Sequence, residues 1–260
     1  MILSHKGIPV FYTDQGKGKA IVLLHGFLEN STMWNPFVTA LSKKNRIICI
    51  DLLGHGKTGC LGYVHTMELM AETVHTVLNY LNISKSTIIG HSMGGYVALA
   101  FAEIYENKVE GLCLMNSTAS ADNLERKKNR DRAIRAVKKN HRIVVKIAIP
   151  MLFSEKNRTV FTSKIEQLTQ EALQISPQGI IAALEGMKIR EDHTLIYKNA
   201  NFPIQLIIGK QDPALEYAPL IEQTKNTKVH VVEFPDGHMS HIENKDDLII
   251  TLSSFVKMCN

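Results

Sequence analysis

A serine at the centre of Gly90-His91-Ser92-Met93-Gly94, an aspartate in Gly209-Lys210-Gln211-Asp212-Pro213 and a histidine in Pro235-Asp236-Gly237-His238 are residue types that together can attack a carbonyl carbon. A serine hydroxyl is a weak nucleophile until an imidazole takes its proton, and the imidazole needs a carboxylate to hold its tautomer and orientation. The spacing G-x-S-x-G is by itself weak evidence, since it would arise in roughly one in ten chains of this length. Its setting carries the weight. The run Ser86-Thr87-Ile88-Ile89 comes before it and the helix-prone Gly95-Tyr96-Val97-Ala98-Leu99-Ala100-Phe101-Ala102 after it. The serine therefore sits on a sharp strand-to-helix turn, where glycines at 90 and 94 leave room and the hydroxyl stands clear of the sheet.

The elements that must position these groups follow from hydrophobic pattern. Short β-branched runs recur at Ala20 to Leu24, Arg46 to Ile50, Thr87 to Ile89, Gly111 to Met115, Ile204 to Ile208 and Val229 to Phe234. Several lack polar alternation, as expected of parallel strands buried on both faces. Helices are predicted between them at about 33 to 43, 66 to 82, 94 to 105, 214 to 225 and 245 to 257. Strand and helix in alternation mean an α/β doubly wound sheet. The rhythm fails between Asn116 and Asn201, where the chain turns helical and charged, and then resumes. The expected organisation is a core of residues 1–116 and 201–260 with residues 117–200 inserted as a helical cap. Within the cap, Ser176-Pro177 predicts an N-cap and a first helical turn, opening a helix to about Arg190.

Open α/β sheets place functional groups at the carboxyl ends of strands, and Asp212 and His238 each lie just past one. Asp122 is the alternative acid, and His241 in Gly237-His238-Met239-Ser240-His241 is the competing base. An oxyanion would need two backbone N–H donors. Met93 follows the nucleophile at a helix N-terminus, and Phe27 follows Gly26, which lets the backbone approach. His25, His55 and His91 are expected to hold loops by hydrogen bonding. Asp51 is not read as a ribose-binding acid, because Gly54-His55-Gly56 is not a dinucleotide fingerprint.

The set Leu24-His25-Gly26-Phe27, Asp51-Leu52-Leu53-Gly54-His55-Gly56, Gly90-His91-Ser92-Met93-Gly94-Gly95, Gly209-Lys210-Gln211-Asp212 and Gly237-His238 resembles the α/β-hydrolase superfamily, nearest to its small cytosolic serine esterases and enol-lactonases. The order Ser, Asp, His along the chain is that superfamily's order. Leu53 stands where proline is usual. The resemblance runs from about residue 8 to 256 and weakens in the cap. It implies the α/β-hydrolase fold: a mostly parallel, eight-stranded sheet with helices on both faces and an inserted helical lid. It also implies Ser92 as nucleophile, His238 as base because the base directly follows the glycine, Asp212 as acid, and an acyl-enzyme route to carboxylic ester hydrolysis. Lactonase, thioesterase and carbon–carbon bond hydrolase chemistry share those parts, and a slow-turnover ligand receptor on this fold is a further alternative. Dehalogenases and epoxide hydrolases use an aspartate nucleophile, and position 92 is serine.

Composition narrows the rest. Hydrophobic residues make up 45% and charged residues 21% of the 260, enough for a core that needs no disulfides. Four cysteines show neither metal-ligand nor framework spacing, so reduced thiols, a cytoplasmic setting and no metal or other cofactor are expected. The first residues lack a basic segment followed by a long apolar stretch, so no signal peptide is expected. The apolar run Ile143 to Phe153 is too short for a membrane span. A net charge of +5 without interleaved aromatics argues against nucleic acid. The expected partner is a small-molecule ester. Residues Asp122 to Asn140 are expected to form a charged helix, mostly a solvated face, from which Arg126 or Arg130 reaches over the site toward a substrate carboxylate. The run Ile143 to Phe153 is expected to line the acyl side.

Overall fold

In the computed structural model, which describes residues 1–259, neighbouring residues of the central strands enter two different cores. The strands are β1 (Ile2–His5), β2 (Ile8–Gly16), β3 (Lys19–Leu24), β4 (Asn45–Ile50), β5 (Ser86–His91), β6 (Val109–Met115), β7 (Ile204–Gly209) and β8 (His230–Phe234). Val22 and Leu24 of β3, Ile48 and Ile50 of β4 and Leu112 and Leu114 of β6 enter one apolar layer. Ile21, Leu23, Ile47, Cys49, Cys113 and Met115 enter the other. A strand covered on both faces has no side for polar residues, which is why these runs read as unbroken apolar stretches.

The sheet order is β1-β2-β4-β3-β5-β6-β7-β8, eight strands, with the first two pairings antiparallel and the rest parallel. β1 and β2 lie outside the six apolar runs. They form a hairpin at the sheet edge, turned by Lys6 and Gly7 at φ 48° and 84°, and their mixed polarity hides them from an apolar-run search.

The first layer is covered by α2 (Met67–Tyr80) and α3 (Met93–Ile104), and the second by α1 (Asn35–Leu41) and the C-terminal helix. Between β6 and β7 the regular elements are all helical: α4 (Leu124–Ala148), α5 (Asn157–Val160), α6 (Thr162–Ala172), α7 (Pro177–Ile189) and α8 (Thr194–Asn199), with a short 3₁₀ turn at Pro150–Leu152. After β7 come α9 (Tyr217–Glu222), α10 (Ser240–Glu243) and α11 (Lys245–Cys259). Ser176 caps α7 by accepting from Gly179 N at 3.0 Å. Among the described residues no helix is long and apolar enough to cross a membrane.

Two expectations for the inserted segment are corrected. The charged helix does not begin at Asp122 or stop at Asn140. Asn123 caps it through Arg126 N, leaving Asp122 outside, and it runs to Ala148 through a kink at Asn140, whose side chain accepts from Ile143 N and recaps the second half. The run Ile143 to Phe153 does not as a whole line the site. Val145, Ile149 and Phe153 are buried at helical spacing, while Ile143, Ile147 and Met151 are more than half exposed. Only Leu152 of this run reaches the cavity that holds Ser92.

Candidate active site

Ser92 follows β5 and opens α3 with φ 50° and ψ −113°, a conformation an L-residue adopts only where the surroundings enforce it. The enforcement is steric and polar. A Cβ at Gly94 would collide with the carbonyls of Leu24 and His25, and one at Gly90 with the backbone of Gly94, so β3, β5 and α3 meet closely only because both are glycine. Ser92 N donates to Met115 O at 2.9 Å, and Ser92 O accepts from Ser117 Oγ at 2.8 Å.

His238, in the turn between β8 and α10, places Nε2 2.8 Å from Ser92 Oγ and Nδ1 2.7 Å from Asp212 Oδ2. An ionised carboxylate only accepts, so Nδ1 carries the proton and Nε2 offers its lone pair to the serine hydroxyl. Burial would raise the Asp212 pKa. The His238 ring, its hydrogen bond and the donors Ala214 N and Asn116 Nδ2 override that and hold it below the ordinary carboxylate value. Asp212 Oδ1 also accepts from Leu215 N, at 3.1 Å. Asp122 does not approach His238. It lies buried among Arg126, Arg130 and Arg190.

Phe27 lines the same cavity of about 130 Å³ as Ser92 and His238, and Met93 begins α3. The N–H groups of Phe27 and Met93 are both without a protein acceptor among the described residues. Leu28 after Phe27 takes φ 64°, so the loop holds its turn with a residue that disfavours that conformation.

His25 accepts from Leu52 N at 2.9 Å and donates to Gly26 O, tying the loop after β3 to the loop after β4. His55 bonds Leu53 O. Asp51 accepts from Ser31 N and Lys57 N and shapes its own loop.

Glu29, which sequence reasoning did not single out, closes a buried network behind His238. Its Oε2 accepts from Gly26 N at 2.8 Å and from His91 Nδ1 at 2.7 Å, while His91 Nε2 faces His238 O at 2.9 Å. Both partners of His91 are acceptors, so both ring nitrogens donate and the ring is an imidazolium. Burial opposes that charge, but the Glu29 carboxylate raises the His91 pKa above its ordinary value. Glu29 in turn stays ionised: burial pushes its pKa up, and His91 and His241 push it further down. His241 Nε2 stands 3.3 Å from Glu29 Oε1, and burial lowers the His241 pKa to about 3. Glu29, His91 and His241 bring ligand-type atoms within 4.8 Å of one another, yet a doubly donating His91 has no lone pair for a metal. His241, the competing base, belongs to this network and not to Ser92.

Asn116 was also missed. Just past β6, with φ 47°, it donates to Asp212 Oδ2 and Gly237 O, both at 3.1 Å, joining the Asp212 loop to the His238 loop. Asparagine tolerates the left-handed region, and its place at a strand end is the one local sign of the role.

The fold is that of a hydrolase class. The chain belongs to the family described as alpha/beta hydrolase fold, whose profile matches residues 19–245. It resembles, in particular, a thermophilic esterase from Thermogutta terrifontis solved with malate bound, at 28% identity over 99% of this chain and 97% of that one, with a TM-score of 0.89. The enol-lactonase from Burkholderia xenovorans LB400 shares the fold, at 22% identity over 99% of this chain and all of that one, TM-score 0.91. An uncharacterized protein of Mycobacterium tuberculosis is 37% identical over 102 residues, 39% of this chain, and the match spans 30% of that relative's length.

Proposed function

We propose that this protein is a serine hydrolase that cleaves carboxylic esters of small molecules through an acyl-enzyme. The observation that carries the reading is the unbroken line Ser92 Oγ, His238 Nε2, His238 Nδ1, Asp212 Oδ2, with hydrogen bonds of 2.8 and 2.7 Å. Ser92 Oγ forms a bond to the ester carbonyl carbon as His238 Nε2 takes its proton, and Asp212 stabilises the imidazolium. Negative charge moves to the carbonyl oxygen, held by the N–H groups of Phe27 and Met93. Each such donor is typically worth about 3 kcal/mol in the transition state. The tetrahedral species collapses, the carbon–oxygen bond to the alcohol breaks, and His238 returns the proton to the departing oxygen. Water, activated by the same imidazole, then attacks the acyl carbon and restores Ser92.

The helical segment 117–200 acts in this reading as a cap, since Arg126, Arg130, Leu152 and Met187 from it line the cavity at Ser92. The four unpaired thiols support work in a reducing compartment such as the cytoplasm.

The test is a panel of short esters, thioesters and lactones with wild type and Ser92→Ala, run beside labelling by a fluorophosphonate and peptide mapping of the label. Ester turnover with the label on Ser92 is expected. Turnover persisting in Ser92→Ala, or a label on another residue, would reject the assignment, and a panel turned over only as lactones would move the substrate class.

A further inference from the structure

The buried carboxylate of Asp122 faces more positive charge than it can balance. Its Oδ1 lies 2.7 Å from Arg190 Nη1 and 3.4 Å from Arg126 Nε, and its Oδ2 lies 2.9 Å from Arg130 Nε. Burial would raise the pKa of Asp122, but Arg130 and Arg190 lower it, so it carries one negative charge among three guanidiniums. Arg190 is structural. Its side chain is 4% exposed, donates to Met187 O and Ser120 O as well, and has its guanidinium carbon 4.1 Å from the Tyr96 ring centre.

That leaves Arg126 and Arg130, one helical turn apart at the start of α4, and both line the cavity that contains Ser92 and His238. They also line an adjoining cavity of about 530 Å³, and Ala214 and Leu215 are common to both walls. Arg130 donates through Nε to Asp122, and its two terminal nitrogens donate to no protein group among the described residues. Arg126 uses Nη2 on Ala214 O, leaving Nη1 open. Among the described residues, Glu29 is the only carboxylate lining the Ser92 cavity, and it is already bound by His91 and Gly26. Glu125, Glu216 and Asp212 line the larger cavity; the two glutamates are exposed, Asp212 is engaged by His238, Ala214 N and Leu215 N, and none of the three pairs with either arginine. Fixed guanidinium forks with uncommitted N–H groups beside a nucleophile match a carboxylate in geometry and charge.

Resting on the serine-hydrolase reading above, we infer that Arg126 and Arg130 form an anion subsite that selects esters carrying a free carboxylate, such as half-esters of short dicarboxylic acids. Asp122 fixes the two Nε edges, so the forks are oriented before substrate arrives. Orientation in advance reduces the ordering cost of binding.

The experiment compares ethyl butanoate with monoethyl succinate, which differ by a methyl against a carboxylate at the end of the acyl chain. The readout is the ratio of their kcat/KM values in wild type, Arg126→Gln, Arg130→Gln, the double variant and the control Arg132→Ala, which sits on the exposed side of the same helix. A ratio of at least about ten in favour of the half-ester is expected in wild type, falling at least about tenfold in the double variant, with the change mainly in KM. Arg132→Ala should keep the wild-type ratio. Rising salt should lower the ratio, because screening weakens only the charged contact. Fluorophosphonate labelling and thermal melting identify folded variants. Calorimetric titration with succinate reads the anion subsite without turnover, so loss of the ester reading and loss of this one are separate results. A wild-type ratio near one, an unchanged ratio in the double variant, or succinate binding equal in wild type and the double variant would overturn the inference.

Discussion

Replacing Glu29 by glutamine removes one charge and leaves the side-chain shape, which isolates the electrostatic role of the network behind His238. In wild type the carboxylate makes three connections: Gly26 N, His91 Nδ1 and the approach of His241. A glutamine oxygen can still accept from Gly26 and His91. It cannot hold His91 as an imidazolium in a buried site, so the ring falls to one proton and either Glu29's replacement or His238 O loses its donor. A half-broken buried ion pair typically costs about 3 to 5 kcal/mol, and the retained amide contacts favour the lower end, about 3 kcal/mol. The catalytic effect follows from position. His91 fixes the backbone carbonyl of His238, and Gly26 sets the loop that carries the Phe27 donor, so both halves of the site loosen together. Misplacement on the scale of 1 Å typically costs about a hundredfold, and a kcat/KM loss of about 10- to 100-fold with KM changed little is expected. Urea unfolding and steady-state kinetics on a short ester measure the two effects.

The pH dependence supplies the sign. Glu29 has a folded pKa below its ordinary 4.5, so its contribution is present above that value and lost as pH falls through the folded one. His91 has a folded pKa above its ordinary 6.5, so its contribution is complete below 6.5 and lost as pH rises through the folded value. The stability gap between wild type and Glu29→Gln should therefore be widest between about pH 5 and 6.5 and should narrow on the alkaline side. A variant within twofold in kcat/KM, or a gap that widens toward pH 9, would refute the reasoning.

Ser92→Gly should lose all fluorophosphonate labelling yet gain about 1 kcal/mol in stability by relieving the positive φ, as read by thermal melting; a lower melting point would show that the turn is not strained. Asn116→Ala removes the donors to Asp212 Oδ2 and Gly237 O and should lower kcat by about tenfold with KM little changed; an unchanged kcat would leave Asn116 without a positioning role. Burial lowers the pKa of His55 to about 3, of His65 to about 4 and of His241 to about 3, so each contributes stability above its ordinary 6.5 that is lost as pH falls toward the folded value. Each should cost about 1.4 kcal/mol between pH 7.5 and 5.5, with the raised His91 acting in the opposite direction, so stability should fall over that interval; urea unfolding at both pH values showing no loss at pH 5.5 would contradict it.

What could be read from the chain alone is what local pattern encodes. Strands β3 to β7 are largely apolar runs because both their faces are covered, and the turn at Ser92 is visible because only glycine fits at 90 and 94. Asp212 and His238 stand just past strands, where an open α/β sheet exposes its loops, so their strand-end positions mark them without any contact information. β1 and β2 escaped because an edge hairpin half in solvent carries mixed polarity.

Tertiary structure decided the rest, because those relations join residues far apart in the chain whose neighbours give no periodic signal. Glu29 looks like an ordinary loop acid until β5 and the base loop bring His91 and His241 against it. Asp122 reads as a helix-start acid, yet a cap one residue later turns it inward, where Arg190 from the far end of α7 meets it. Ile143 to Phe153 reads as one apolar wall, but a helix turns successive residues about 100° apart, so a continuous run must divide between core and solvent once packed. Spacing along the chain specifies which face a residue takes within its own element; which charge it meets there is set only when the elements dock.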